Sequence, residues 1–237
     1  MNKERNRTRF VSESAPSASD STLPARRDYK DTIFRRLFQD RENLLSLYNA
    51  VNRTSYTDSE ALTVVTLENA VYMNMKNDVA FLLDAGLSLY EHQSTWNPNM
   101  PLRDLFYVSR TYQGLVKDET LYSSKRLRLP APHFLVFYNG TEQREERSIL
   151  KLSDSFEYAG DQKEEPNLEL KVLVLNINQG KNKELLELCR TLKEYMIFVE
   201  RIRLYTKTME LDAAAERAVD ECIREGVLSN FLRKNRG

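Results

Sequence analysis

Residues 77–95, Asn-Asp-Val-Ala-Phe-Leu-Leu-Asp-Ala-Gly-Leu-Ser-Leu-Tyr-Glu-His-Gln-Ser-Thr, admit few folds. Apolar and β-branched side chains crowd 79–83 and 87–90, and Asp84-Ala85-Gly86 between them is turn chemistry, so the stretch predicts a β-hairpin. Strand side chains alternate between faces. Asp78, Ala80 and Leu82 therefore share one face of the first strand, and Leu89, Glu91 and Gln93 share one face of the second. With Ala85 and Gly86 as the loop residues, Leu83 falls opposite Ser88, Ala80 opposite Glu91 and Asp78 opposite Gln93. Directly opposed Cβ atoms lie about 5 Å apart and diagonal ones about 7 Å, so Asp78, Glu91 and Gln93 converge at the open end. A slip of one residue would send them to opposite faces.

Two carboxylates and a carboxamide at that range make a hard, oxygen-rich site that suits Mg²⁺ or Mn²⁺ better than zinc. Such sites activate water for phosphodiester cleavage. The plainer alternative leaves Asp78 and Gln93 at strand ends in solvent and pairs Glu91 with an arginine. His92 faces away from the set by alternation, which argues against a general base; its main-chain carbonyl remains a candidate metal ligand.

Asn77-Asp78-Val-Ala-Phe81, the hairpin, Glu91-His-Gln93-Ser-Thr95 and Asn97-Pro-Asn-Met-Pro-Leu-Arg103 together resemble the recombination-promoting nuclease (Rpn) family, also catalogued as transposases. That family belongs to the PD-(D/E)XK nuclease superfamily. The resemblance extends to Lys30-Asp31-Thr-Ile-Phe34-Arg35-Arg-Leu-Phe38, to Phe137-Tyr-Asn139-Gly140 and to Asn176-Ile-Asn178-Gln-Gly180, covering roughly residues 26–230. It implies an α/β fold: an αβββαβ core with a mixed central sheet flanked by helices, plus C-terminal helices. It also implies a Mg²⁺- or Mn²⁺-dependent DNA endonuclease in which Asp78 is the first acid and Glu91 the second. Gln93 stands where many superfamily members carry Lys, although the family commonly has Gln here. Gln can orient a water but can neither take its proton nor supply positive charge. A nuclease fold kept as a DNA- or partner-binding module is the alternative. A transposase with an RNase-H-like acid triad fits poorly, because the acids follow the hairpin.

The chain has 237 residues, 41% hydrophobic and 30% charged, enough for one sizeable domain with a proper core or for a domain plus a small appendage. No apolar run is long enough to span a membrane, and no secretory segment stands near the start. Lys and Arg total 35, as do Asp and Glu, so DNA contact must come from local clusters such as Lys125, Arg126 and Arg128. Cys189 and Cys222 lack metal-ligand spacing and suit a reducing, cytoplasmic setting. No phosphate-cradling glycine loop, zinc set or nucleophile elbow is present.

Taken in order, residues 1–25 read as a disordered tail, 26–180 as the nuclease-like core and 181–237 as a helical region that caps the core or supports a homodimer. A helix is expected over 29–49, with Asp31 in its first turn either facing the metal pocket or favouring the helix terminus. A strand follows over 62–67, with Glu68 at its end as a supporting acid. Asn99 reads as an N-cap and Pro101 fits the first turn of a helix to about Lys117. Leu102, Leu105, Phe106, Ser109 and Tyr112 are its expected inner face, and Arg103 is placed to orient a phosphate or to form a surface ion pair. Strands are expected over 134–138 and 168–175, irregular chain over 141–167, and helices over 183–205 and 212–233.

Overall fold

The alternating stretches assemble into one six-stranded sheet in the order β1-β2-β3-β4-β6-β5. The computed structural model describes residues 29–65, 78–116, 121–157 and 165–235; the expected tail and Glu68 lie outside them. The strands are β1 (Thr63–Val64), β2 (Val79–Leu83), β3 (Gly86–Gln93), β4 (Ala131–Tyr138), β5 (Arg147–Lys151) and β6 (Lys171–Asn176). The first three pair antiparallel, β3, β4 and β6 run parallel, and β5 closes the far edge antiparallel to β6. The chain is therefore an α/β protein with an open mixed sheet.

The hairpin forms with its two-residue loop one position earlier than the spacing suggests. Leu83 pairs with Gly86 and Val79 with Tyr90, so Asp84 and Ala85 are the loop residues. Asp84 supplies the left-handed conformation, at φ 51°, and its carboxylate accepts a hydrogen bond from the Tyr56 hydroxyl at 2.5 Å. Relative to the expected register this is a shift of two residues. An even shift preserves the faces, so the polar set stays together with different partners.

The helices break where side chains or backbone stop them. The helix expected over 29–49 is two, α1 (Tyr29–Phe38) and α2 (Arg41–Asn52). Asp40 starts the second by accepting from the Asn43 amide at 3.0 Å, and its extended backbone ends the first. Past β3 comes α3 (Met100–Leu115), with Pro101 in its first turn; Asn99 at its N-cap makes no side-chain capping bond. The C-terminal pair becomes four: α4 (Lys183–Leu188), α5 (Arg190–Tyr205), α6 (Leu211–Glu225) and α7 (Ser229–Lys234). Extended backbone at Cys189 divides the first two, and left-handed Gly226, at φ 80°, ends α6.

Two further expectations fail. Residues 141–167 contain β5, whose Arg147 and Lys151 bracket only Ile149 and Leu150 as apolar residues. That is the charged pattern of a protected edge strand rather than of a loop. In α3 the buried stripe is Met100, Pro101, Asp104, Tyr107, Val108 and Thr111, while Leu102 and Phe106 face solvent. Helical phase is set here by the aromatic and methionine anchors, and it turns one acid, Asp104, inward.

Apolar residues fill both faces of the sheet. Val79, Phe81, Leu83 and Tyr90 pack with α1, α2 and the C-terminal helices, through Phe34, Leu44, Leu192, Phe198 and Val199. Ala80, Leu87, Leu89, Val136 and Tyr138 pack with α3 through Met100, Tyr107 and Val108. No helix among the described residues is long and apolar enough to cross a membrane.

Candidate active site

The open end of the hairpin presents two acids that hold each other's strands. Val79 faces Tyr90, which puts Asp78 one step on, across from Glu91 rather than across from Gln93. The Asp78 amide donates to Glu91 Oε1 at 3.1 Å, and the His92 amide donates to Asp78 Oδ2 at 2.8 Å. Each carboxylate thus accepts from the backbone of the opposite segment. Glu91 and Gln93 are buried on the α3 side of the sheet. Gln93 sends its main-chain oxygen to the Asn139 amide at 2.8 Å, and its side-chain Nε2 is buried without an acceptor.

Electrostatics makes this a demanding place for negative charge. Burial pushes the Glu91 carboxyl well above the usual carboxylate range, and the Asp78 charge pushes it further, against the pull of Arg103. Asp78 is raised too, chiefly by burial, with the His92 amide opposing. Arg103 Nη2 lies 3.4 Å from Glu91 Oε2 and donates to the Tyr107 hydroxyl at 2.9 Å. The ion pair anticipated for Glu91 is therefore present, with Arg103 as its partner. Asp104, the next residue along, is buried with Oδ1 unpartnered, and burial raises it to about 8.

His92 stands on the opposite face, as alternation requires. Its Nδ1 lies 2.7 Å from Asp31 Oδ1 and its Nε2 lies 2.9 Å from the Tyr195 hydroxyl. The ring is also packed 5.1 Å from that of Phe34. Asp31 thus does more than favour the start of α1: it fixes the ring whose amide grips Asp78.

The structure brings together Asp78, Glu91, Gln93 and Arg103, with Asp31 and His92 immediately behind them. It does not bring Lys125, Arg126 and Arg128 to this end. Their segment enters β4 at Ala131, whereas Gln93 pairs with Tyr138 at the other end of that strand. Periodicity and spacing miss Asp104 and the hydroxyls of Tyr107 and Tyr195. The Tyr195 hydroxyl finds its partner only through tertiary packing. Asp104 was detectable only by phasing α3 on Met100 and Tyr107.

Among the described residues, no three His, Cys, Asp or Glu side chains are grouped to hold a metal ion. A donor set of two carboxylates and a main-chain carbonyl nevertheless fits Mg²⁺, which keeps several waters and takes one or two protein carboxylates. The adjoining carboxyls of Asp78 and Glu91, both raised chiefly by burial, are the kind of donor that a divalent cation neutralises. No family model, curated protein or solved structure matches the chain.

Proposed function

We propose that the protein is a metal-dependent DNA endonuclease of the recombination-promoting nuclease type, built on a PD-(D/E)XK core. The observation that carries this reading is the reciprocal grip of Asp78 and Glu91, which fixes a half-buried and a buried carboxylate side by side at one sheet end. The succession of helix, three strands, helix and strand supports the fold half of the proposal.

Asp78, Glu91 and the His92 main-chain carbonyl would hold Mg²⁺ or Mn²⁺. The bound ion would lower the pKa of a water and offset charge on the reacting phosphate. The chain's own residues supply position. The two strand amides keep the acids from turning away. Gln93 Nε2 is a free donor for a water or phosphate oxygen but not a base. Arg103, tethered to Tyr107, holds positive charge beside Glu91, where a phosphate would displace part of that ion pair.

The occupation of Glu91 by Arg103 favours a second reading, a nuclease fold retained for binding alone. Plasmid DNA incubated with the protein and Mg²⁺ or Mn²⁺ separates the two. The parent is expected to nick the plasmid, and Asp78→Ala and Glu91→Ala, shown folded by circular dichroism, to fall to background. Failure of the parent with either metal, or nicking that survives both substitutions, leaves the binding module.

A further inference from the structure

A cavity of about 1400 Å³ opens between the segment following β4, the segment following β6 and the face of α5. It lies at the carboxyl ends of β4 and β6, which run parallel with β3. Open α/β sheets bind ligands at such strand ends. The volume exceeds the roughly 300–1,000 Å³ usual for a small-molecule site, so it suits a length of polymer better than a metabolite.

Gly140, Asn176 and Asn178, which belong to the two downstream segments of the sequence resemblance, line it, and Asn139 from the first of those segments is buried behind them. Asn178 donates to the Gly140 carbonyl at 3.0 Å, and Asn176 donates to the Arg144 carbonyl at 3.0 Å. Arg203 donates to Asn139 Oδ1 at 2.6 Å and to Asn178 Oδ1 at 2.7 Å. The wall is joined to the acid pair's strand by the bond from the Asn139 amide to the Gln93 carbonyl.

Along this line five buried nitrogen donors lack an acceptor among the described residues: Gln93 Nε2, Asn139 Nδ2, Arg144 Nε, Arg201 Nη1 and Arg203 Nε. All five have the same polarity. Donation from Arg203 fixes the orientation of the Asn139 amide, so its Nδ2 is a true donor. Unmet donors of one kind along one path point to a ligand that brings acceptor oxygens. The charges agree. Glu142, Glu200 and Glu221 on the lining are paired with Arg144, Arg203 and Arg217, and Arg201 is paired with Glu225, leaving Glu145 against Lys181 and Lys207, which form no ion pair among the described residues. The guanidinium of Arg144, a lining residue, lies 4.2 Å over the Trp96 ring, an aromatic and cationic pair of the sort that carries a nucleobase.

We infer that this cavity is the track of a single nucleic-acid strand, whose phosphates flanking the one at Asp78 and Glu91 lie against Arg144, Lys181 and Lys207. The inference rests on the nuclease reading for the phosphate that reacts, and on the cavity alone for binding.

A fluorescein-labelled single-stranded DNA oligonucleotide, titrated in EDTA and followed by anisotropy, tests it. The parent binds. Lys181→Gln/Lys207→Gln, altered only at side chains that form no ion pair among the described residues, raises Kd by about tenfold and lowers the slope of log K against log salt by about 1.4, two contacts at ~0.7 each. Arg144→Gln weakens binding in the same sense. Glu91→Gln binds at least as tightly as the parent, because it frees Arg103 from its acid partner. An unbound parent, or a double variant with the parent's affinity and slope, overturns the inference. Plasmid nicking that survives Glu91→Gln would defeat the catalytic reading while leaving the salt slope to decide the track.

Discussion

Asp104 keeps its carboxyl on the buried side of α3, and its proton affinity gives a signed prediction. In the unfolded chain it titrates near the ordinary carboxyl value, whereas in the fold burial raises it to about 8. Between those values the folded state holds a proton that the unfolded state has released. Stability is therefore full below about pH 4 and falls as pH rises, by up to about 1.4 kcal/mol per pH unit until about pH 8. Glu91 and Asp78 shift in the same direction and add to the slope. Urea melts from pH 5 to pH 8 are expected to show this decline in the parent and a shallower one in Asp104→Asn. An equal decline in both would place the titrating group elsewhere. At this scale Asp78 and Glu91 were legible in the sequence, because strand alternation sorts faces whatever the even shift in register. Asp104 was not, because a lone acid among apolar helical residues is ordinarily turned to water and only packing reverses it.

At the scale of elements, β3 is tied to the helical layer through one imidazole. The Tyr195 hydroxyl on α5 meets His92 Nε2 in a fully buried setting, while Asp31 on α1 holds the other nitrogen. Tyr195→Phe keeps the packing and removes the polar partner, so it is expected to cost about 1–3 kcal/mol in urea denaturation. A change under about 0.5 kcal/mol would mean that water replaces the hydroxyl. The principal strands and helices could be read from their periods, and the misreadings share a cause. Asp40, Cys189 and Gly226 interrupt helices through local backbone geometry that leaves the 3.6-residue pattern almost intact. β5 escapes notice because an edge strand buries little and so alternates weakly. Asn139-Gly140 reads as turn chemistry, but Gly140 is also required by space, since a Cβ there would lie 2.3 Å from the Tyr138 hydroxyl oxygen.

At the scale of the whole molecule, the aromatic cluster around Phe34 joins elements from both ends of the chain. Its ring lies 4.7 Å from Phe38, 5.5 Å from Phe137 and 5.7 Å from Tyr195. Phe34→Ala is expected to cost about 3–5 kcal/mol by thermal or urea melting, as a large core truncation does. A much smaller loss would show that α1 docks independently of the rest. The division of apolar residues over both sheet faces was foreseeable from the run of strands and amphipathic helices. The closure of one face by helices from both ends of the chain was not, because nothing local records which distant helix a ring will meet. This arrangement has a consequence for synthesis on the ribosome. Asp78 and Glu91 emerge early, but the imidazole behind them gains its second clamp only after Tyr195 has been translated and α5 has docked. The acid pair is thus completed late, and a partly made chain carries both carboxylates without the frame that aims them.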